Sequence, residues 1–332
     1  MIIKSVELTN FRNHTHYLMR CEDEVSLILG SNGWGKTSIL EAIYILTRGK
    51  SFRATDRDIL KRTTNYYRIK LEYQNGTTII ATYDGGTKFF TITDQKSKRL
   101  PSKYKYPIIL FTPSDLNLIS HSPGRRRDYF DHIFSQLDES YAVSLSRYNK
   151  AIKQRNELLK KEPFSPESTF SWNLLLARYG VILTEQRQAF ITEINSRLTS
   201  TYRSIAKNQD EVDIKYTSDA LGFSESTYLN TIEQSTTRDL YLGHTSFGVH
   251  RDDYLFNLNH QPADTSASRG ETRSIIIALK FIEADLIYER LRVKPIILLD
   301  DVFSELDATR RKCLINNFKD HQVIITSVEN VD

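Results

Sequence analysis

The residues with the clearest capacity for chemistry are a lysine near the N-terminus and two adjacent aspartates near the C-terminus. The lysine ends a glycine-rich segment that reads Gly30-Ser31-Asn32-Gly33-Trp34-Gly35-Lys36-Thr37-Ser38 and matches the pattern G-x-x-x-x-G-K-[ST] in full. Backbone N–H groups of such a loop, and the N-terminus of the helix after it, converge on phosphate oxygens. We therefore predict that these nine residues bind ATP. A chance glycine turn before a helix is the alternative interpretation.

The segments on either side of this loop are of the required kinds. An apolar run, Val25 to Leu29, precedes the loop and predicts a strand, while residues 38–43 continue in a helical pattern. In a loop placed in this way, Lys36 reaches the outer phosphates and contributes to catalysis, and the hydroxyl of Thr37 is a ligand of Mg²⁺.

The two aspartates follow a strand that is apolar on both faces. Residues 296–299 are four consecutive aliphatics, and Asp300 and Asp301 come directly after them. Such a run is typical of the middle of a parallel sheet, whose carboxyl edge is where ligands bind in open α/β folds. We predict that Asp300 is the carboxylate linked to Mg²⁺ and that Asp301 is catalytic, orienting the attacking water. Read alone, the Asp-Asp pair is equally compatible with a plain loop.

Two further segments narrow the class of ATPase. Ser268-Arg269-Gly270-Glu271 precedes the acidic strand, and Ser304-Glu305-Leu306-Asp307 follows it. Taken with the loop and the strand, this order looks like the head of an ABC-type ATPase. The resemblance implies that Ser268, Arg269, Gly270 and Asp307 of one subunit contact the nucleotide held by the other, in a homodimer formed on ATP binding. Alone, the first segment is an ordinary helix N-cap with an acid in its first turn.

Within this class the chain resembles the RecF family over nearly its whole length. The segments that carry the resemblance are Leu8 to Asn13, Gly49 to Arg53, Phe111 to Leu116, Arg125 to Asp131, Tyr148 to Lys160, Gly248 to Asp253 and Asp300 to Asp307. The first segment is similar to the family's opening strand and arginine turn, which implies that Arg12 also contacts ATP.

The resemblance implies a function as well as a fold. It implies a cytoplasmic, nucleoid-associated ATPase with ATP and Mg²⁺ as cofactors, whose weak hydrolysis is stimulated by DNA. It implies binding to gapped or single-strand/double-strand junction DNA, and loading of RecA together with RecO and RecR. A second class stays open: an ABC-type head that acts on a protein partner, in defence or transport, without binding DNA.

Some residues depart from the family pattern. Val249 stands where the family usually has proline, and Glu271 stands where a glutamine is common, which adds negative charge close to the expected phosphate. Asp301 is one methylene shorter than the glutamate usual in ABC transporters, and Thr326-Ser327 ends the last predicted strand without a histidine. These last two features favour slow turnover, in which ATP acts mainly to hold two subunits together.

The pattern along the chain predicts an α/β fold in two parts. Residues 1–113 and 244–332 are expected to form the ABC-type head, a mixed sheet with the phosphate loop at its core and a small antiparallel sheet beside it. That small sheet is predicted from residues 68–73, 78–83 and 89–93, the first two joined as a hairpin. Residues 114–243 are expected to be an inserted helical lobe, with one helical stretch over 125–161 and another over 172–207.

Composition adds limits on function. No run of 18 apolar residues is present, which predicts no membrane span, and the two cysteines and eight histidines show no disulfide or metal-site spacing. Residues 1–111 carry 18 Lys and Arg against 10 Asp and Glu. This basic excess, with aromatic residues between the charges, predicts a surface for the DNA backbone, and a solvated loop with ordinary lysines is the alternative. The roles of Arg125 to Arg127 and of His250-Arg251 stay open between phosphate contact and local ion pairs.

Overall fold

The computed structural model describes residues 1–328. Its helices, in chain order, are α1 (Lys36–Arg48), α2 (Pro123–Leu137), α3 (Glu139–Leu158), α4 (Pro166–Ala206), α5 (Glu225–Gln234), α6 (Thr236–Leu242), α7 (Ala263–Ser266), α8 (Arg269–Leu291) and α9 (Ala308–Phe318). Its strands are β1 (Ile3–Phe11), β2 (His14–Arg20), β3 (Val25–Leu29), β4 (Tyr67–Tyr73), β5 (Thr78–Tyr83), β6 (Lys88–Ile92), β7 (Gln95–Ser97), β8 (Ile108–Phe111), β9 (Val212–Thr217), β10 (Asp253–Leu258), β11 (Gln261–Pro262), β12 (Ile296–Asp300) and β13 (Val323–Ser327).

The chain divides into two compact units. The first comprises Met1–Asp115 with Ile287–Asp332, and the second is Leu116–Leu286. The predicted head takes in residues 244–286 as well, which the structure groups with the second unit, and its last four residues, 329–332, lie outside the described part of the chain. The predicted domain boundaries therefore stay a prediction.

The first unit contains an antiparallel sheet of six strands in the order β2-β1-β4-β5-β6-β7. The predicted hairpin is confirmed as β4 and β5, which pair Glu72 with Thr78 next to the turn. Alternate residues of these strands, such as Ile69 and Leu71, are fully buried. The sheet is larger than predicted because β1, β2 and β7 also join it.

The same unit contains a parallel sheet of four strands in the order β3-β13-β12-β8. All five residues of β12 are buried, as the double-sided apolar run predicted. Helix α1 contacts strands of both sheets of this unit, which explains why its residues from Ser38 to Thr47 are buried. Because β3 leads into the glycine loop and β12 ends at Asp300, both predicted site segments lie at the carboxyl edge of this sheet.

The second unit is built on a pair of long helices, α3 and α4, which contact each other along their lengths. The predicted single helical stretch over 125–161 is wrong in one respect, because α2 and α3 are separated at Asp138. The backbone of Asp138 is extended, and its carboxylate accepts a hydrogen bond of 2.7 Å from the N–H of Ser140, which caps α3. A capping aspartate is thus the physical reason for the break.

The second unit also contains a three-stranded antiparallel sheet in the order β11-β10-β9. Strand β9 lies inside the segment predicted as a helical lobe, so that lobe is not entirely helical. Val212, Ile214 and Tyr216 are buried and alternate with more exposed neighbours, a period-two pattern visible in the sequence. Within residues 1–328, no helix is both long and apolar enough to cross a membrane.

Candidate functional site

The glycine loop turns into α1 through a residue that must be glycine. Gly35 caps the helix with a φ of 105°, a left-handed conformation that residues with a Cβ rarely adopt. A Cβ at this position would also lie 2.5 Å from Nε2 of His14. Both the positive φ and the contact with His14 therefore favour glycine just before Lys36. Helix α1 begins directly after it, so its N-terminus lies at the loop.

Lys36 is held inside the loop that it ends. Its side chain is only 3% exposed, and its ammonium donates a hydrogen bond of 2.8 Å to the carbonyl oxygen of Gly30. The same nitrogen lies 3.6 Å from Oδ2 of Asp301. A backbone oxygen and a carboxylate oxygen therefore lie close to this buried ammonium at the mouth of the loop.

Thr37 and Asp300 meet directly, as predicted for two ligands of one metal ion. The hydroxyl of Thr37 donates to Oδ1 of Asp300 at 2.8 Å. Thr326, paired with Asp300 in the parallel sheet, donates its hydroxyl to the same oxygen at 3.0 Å. Burial raises the pKa of Asp300, although the hydrogen bonds from Thr37 and Thr326 oppose that change. Both hydroxyl groups thus donate to the same oxygen of the buried Asp300 carboxylate.

Asp301 has an unusual conformation and an unpaired oxygen. Its φ is 50°, and its N–H donates to the hydroxyl of Thr326 at 2.9 Å. Its Oδ1 is buried and accepts no hydrogen bond from residues 1–328. A buried carboxylate oxygen without a donor is costly in free energy, which points to a ligand or a water that supplies one.

These groups line a cleft of about 540 Å³ in the first unit. Its lining residues are Arg12, Asn13, Asn32, Gly33, Gly35, Lys36, Thr37, Ser38, Arg53, Ala54, Asp58 and Asp301. Eight of them were predicted as site residues from the sequence, whereas Asn13, Arg53, Ala54 and Asp58 were not. Of the other predicted loop residues, Gly30 holds Lys36, Ser31 is exposed, and Trp34 is exposed and packs edge-on against His14.

A buried glutamate on α1, Glu41, binds two arginines at this cleft. Its role was not predicted from the sequence. Glu41 is fully buried and binds Arg12 through two hydrogen bonds, of 2.8 and 2.9 Å. It also accepts from Arg53 at 2.9 Å and from the hydroxyl of Ser51 at 2.6 Å. Burial raises the pKa of Glu41, but the hydrogen bonds from Arg12, Arg53 and Ser51 outweigh it and hold that pKa below its usual value. An acid within the apolar helical run after the loop was the available signal.

The residues predicted to act across a dimer are found at two helix starts. Ser268, in the second unit, is exposed and forms a capping box with Glu271: the N–H of Ser268 donates to the carboxylate at 2.7 Å, and the N–H of Glu271 donates to the hydroxyl at 3.3 Å. Arg269 and Gly270 open α8 directly after it. In the first unit, Asp307 is exposed and caps α9 by accepting from the N–H of Arg310 at 2.9 Å. Glu271 therefore has a local partner for its charge.

Two of the three arginines at the start of α2 whose roles were left open, Arg126 and Arg127, have partners within the second unit. Arg126 is buried and makes a fork with Asp253, with both bonds 2.7 Å long. Arg127 donates to the carbonyl oxygen of Asp252 at 2.7 Å. The structure favours a structural role for both over contact with phosphate, although their partners are Asp253 and Asp252 and not the predicted Asp128 and Asp131.

The histidine of the other open pair is enclosed in the same unit. His250 lies between the hydroxyl of Tyr148 at 2.9 Å and the carbonyl oxygen of Thr245 at 3.0 Å. Burial lowers the pKa of His250 to about 4, so it is neutral at pH 7. Arg251, beside it, donates to the same carbonyl oxygen at 3.1 Å. A neutral, enclosed imidazole favours the local interpretation here too.

The fold and these segments define the class as an ABC-type ATPase head. Strand β3 leads into the glycine loop and α1, and β12, an inner strand of the same parallel sheet, ends at Asp300, directly before Asp301. The family model described as the RecF/RecN/SMC N terminal domain matches residues 2–331. The chain is 31% identical to the DNA replication and repair protein RecF of Clostridium novyi, over 100% of this chain and 94% of that protein. It is also 31% identical to the protein of the same name from Agathobacter rectalis, over 98% of this chain and 92% of that one.

Solved structures agree with these sequence matches. A structure of the recombination mediator protein RecF-ATP in the RecFOR pathway superimposes with a TM-score of 0.89 at 28% identity, covering 100% of this chain and 93% of that chain. A structure described in the same words for RecF-ATPrS gives a TM-score of 0.88 at 28% identity, covering 99% and 92%. This protein belongs to the RecF family.

Proposed function

We propose that this protein is an ATP-dependent recombination mediator that binds DNA as an ATP-induced dimer. The observation that carries the proposal is the meeting of Thr37, Asp300 and Thr326 on one carboxylate oxygen, beside the Lys36 and Asp301 pair. Relatives that match the whole chain are named as RecF, and the solved relative with a TM-score of 0.89 is described as RecF-ATP in the RecFOR pathway.

The residues of the cleft fit a magnesium nucleotide. A threonine hydroxyl and a carboxylate are oxygen ligands of the kind that Mg²⁺ prefers, and Thr37 and Asp300 already share a hydrogen bond that a metal ion would replace. The loop and the N-terminus of α1 would offer backbone N–H groups, and Lys36 its ammonium, to phosphates. When bound, the magnesium ion neutralises charge on the phosphates.

Asp301 is our candidate for the group that orients the attacking water. Its Oδ1 has no partner within residues 1–328, and its Oδ2 is fixed beside Lys36 at 3.6 Å. Thr326 holds the N–H of Asp301 and so fixes the carboxylate relative to Asp300. Since an aspartate reaches less far than a glutamate, we expect hydrolysis to be slow, with ATP serving mainly to hold two subunits together.

Ser268, Arg269, Gly270 and Asp307 are assigned to the contact with the nucleotide of a second subunit. Ser268 and Asp307 are exposed at helix N-termini, where N–H groups and the helix dipole favour an anion. Each subunit would then hold an incomplete site, and release of the DNA would follow hydrolysis.

DNA is assigned to the basic face of the antiparallel sheet in the first unit. The side chains of Lys96, Lys98, Arg99, Lys103 and Lys105 are all exposed around β7 and the segment after it. Two of them lie over aromatic rings, Lys96 over Phe89 at 4.1 Å and Lys103 over Tyr104 at 4.8 Å. Of the aromatic residues that lie between the charges in the sequence, Tyr67 and Tyr106 are buried in the core and do not belong to this surface. Backbone phosphates, rather than bases, are therefore the groups this face would contact.

Gapped or junction DNA, the partners RecO and RecR, and loading of RecA complete the proposal. The support for these finer statements is family membership and the RecFOR pathway named for the solved relatives.

The test is binding of the full chain to gapped duplex DNA in a gel-shift assay, with and without MgATP. We expect binding to require ATP and to weaken with salt, with a slope of log K against log salt of about −0.9 per phosphate contact. Ser268→Arg should bind nucleotide yet fail to dimerise and fail to bind DNA. Nucleotide binding without any DNA binding would contradict the proposal and favour an ABC-type head that acts on a protein partner.

A further inference from the structure

The two arginines at the cleft share one carboxylate but are held very differently. Arg12 uses two nitrogens on the two oxygens of Glu41, and a third nitrogen donates to the carbonyl oxygen of Asp58 at 2.9 Å. Arg53 uses a single nitrogen, Nη2, for Glu41 at 2.9 Å and for the hydroxyl of Ser38 at 3.4 Å. Its Nε and Nη1 donate no hydrogen bond to residues 1–328.

We propose that Glu41 is a positioning residue for the nucleotide phosphates: it anchors Arg12 by a two-point ion pair and holds Arg53 by one hydrogen bond, so that Arg53 can turn to the outer phosphates. This inference rests on the proposed ATP binding. It assigns to Glu41 a role that acts through another side chain, since Glu41 is fully buried and does not line the cleft.

The contacts around Glu41 explain why Arg53, and not Arg12, can bind a phosphate. Two guanidinium groups meet one carboxylate, so the cluster of Arg12, Arg53 and Glu41 carries a net positive charge at the cleft wall. Arg12 has a two-point contact with a fixed geometry, which is the stronger kind of pair. Arg53 has a more exposed side chain, 36% against 23% for Arg12, and keeps unused donors. An arriving phosphate can therefore take the unused donors of Arg53 while Nη2 stays on Glu41, and it leaves Arg12 in place.

Glu41 is also fixed with respect to the loop. It stands on α1 four residues after Thr37, so the two side chains lie on the same face of the helix, one turn apart. Ser51 donates to Glu41 and accepts from the N–H groups of Arg53 and Ala54, both at 3.1 Å. The segment that carries Arg53 is thus tied to the same carboxylate that holds the side chain of Arg53, and both move with the phosphate loop.

The experiment is calorimetric titration of the full chain with MgATP and with MgADP. Glu41→Gln and Arg53→Gln should each weaken MgATP binding about tenfold or more, the scale of one charge-assisted hydrogen bond, and change MgADP binding by less than about threefold. The double variant should be no weaker than Arg53→Gln alone, because Glu41 acts through Arg53. A merely structural role would instead lower both affinities and give additive losses, and would overturn the inference.

Glu7→Gln is the matched control, since Glu7 pairs with Arg68 at 3.7 Å on β1 and does not line the cleft. It should bind both nucleotides as the unaltered chain does. Unaltered MgATP affinity in a folded Glu41→Gln variant overturns this inference alone, whereas an unaltered chain that binds no MgATP overturns the proposed function too.

A measurement on the unaltered chain covers the case in which Glu41→Gln does not fold. Side-chain NMR of the arginine Nε–H groups should show the Arg53 signal moving on addition of MgATP, while the Arg12 signal stays. Movement of neither signal, or of Arg12 alone, overturns the inference.

Discussion

Both compact units bury arginines against carboxylates, but the arginine network at the cleft of the first unit leaves donors and an acceptor unused, whereas the network of Arg187 in the second unit does not. In the second unit, Arg187 is 2% exposed and all three of its nitrogens are engaged, with Asp131, Asp252, Tyr141 and the carbonyl oxygen of Val249. In the first unit, Nε and Nη1 of Arg53 donate no hydrogen bond to residues 1–328. The buried Oδ1 of Asp301 accepts none from these residues. Burial of a charge therefore does not identify a site. Incomplete hydrogen bonding beside a cleft does.

The largest effect should come from breaking the complete network. Arg187→Met leaves the buried Asp252 and the part-buried Asp131 beside an apolar side chain, and we expect a loss of about 3–5 kcal/mol in the free energy of unfolding. Urea denaturation measures it. Arg178→Met is the matched control, because Arg178 is exposed on the same helix α4, and it should change stability by at most about 0.5 kcal/mol. A loss below about 1 kcal/mol at Arg187 would show that the network is not structural.

At the cleft of the first unit, where hydrogen bonding is incomplete, a substitution should alter the rate of ATP hydrolysis and not the free energy of unfolding. Asp301→Asn should reduce ATP hydrolysis by about a hundredfold or more, since it removes the charge that orients water. Its free energy of unfolding should change little, because the gain from removing the charge on the unpaired buried oxygen is opposed by the loss of the ion pair with the buried Lys36. Steady-state phosphate release and urea denaturation give the two values, with Asp94→Asn, an exposed aspartate in a turn, as control. Unchanged hydrolysis would remove Asp301 from the catalytic group.

The next effect is a pH dependence within the second unit. Burial lowers the pKa of His250 to about 4. Between about pH 6.5 and pH 4, His250 is therefore protonated in the unfolded chain and neutral in the folded chain. The contribution of His250 to stability is therefore constant above pH 6.5 and is lost as pH falls from 6.5 to about 4, by up to about 3 kcal/mol.

His250→Gln removes this titration, so the stability difference between the variant and the unaltered chain should vary with pH in that window. Burial also raises the pKa of Asp252, but this group is present in both proteins, so its contribution cancels in the difference. His260→Gln, at an exposed histidine, should show no such variation. A constant difference for His250→Gln would mean that the pKa of the imidazole is the same in the folded and unfolded chains.

The smallest expected effect is on stability at the edge of the site. Arg53→Gln should change the free energy of unfolding by about 0 to 1 kcal/mol, since the pair with Glu41 is part-exposed and Arg12 still satisfies the carboxylate. Arg12→Gln should cost more, because it removes two bonds to a fully buried group. If Arg53→Gln proves the more destabilising of the two in urea, the contrast between the units does not hold.

Local patterns in the sequence were sufficient for the backbone of the site. The pattern G-x-x-x-x-G-K-[ST] between an apolar run and a helix, and four aliphatics before two aspartates, are local features. Their structures, β3 with α1 and β12, are the predicted ones. The meeting of Thr37 with Asp300 also followed, since the carboxyl edges of parallel strands lie together.

Side-chain partners drawn from distant segments depended on the tertiary structure. Thr326 reaches Asp300 because β13 pairs with β12, and Arg12 and Arg53 converge on Glu41 from β1's end and from the segment after α1. No periodicity encodes such meetings. In the same way, Tyr67 and Tyr106 look like surface aromatics among lysines in the sequence, yet both are buried in the core.

The sequence alone determined the phosphate loop, its helix and the acidic strand, because each depends on residues that are neighbours in the chain. The tertiary structure decided which charges are complete and which are left to bind something else, because hydrogen bonding among buried groups depends on side chains brought together from far apart.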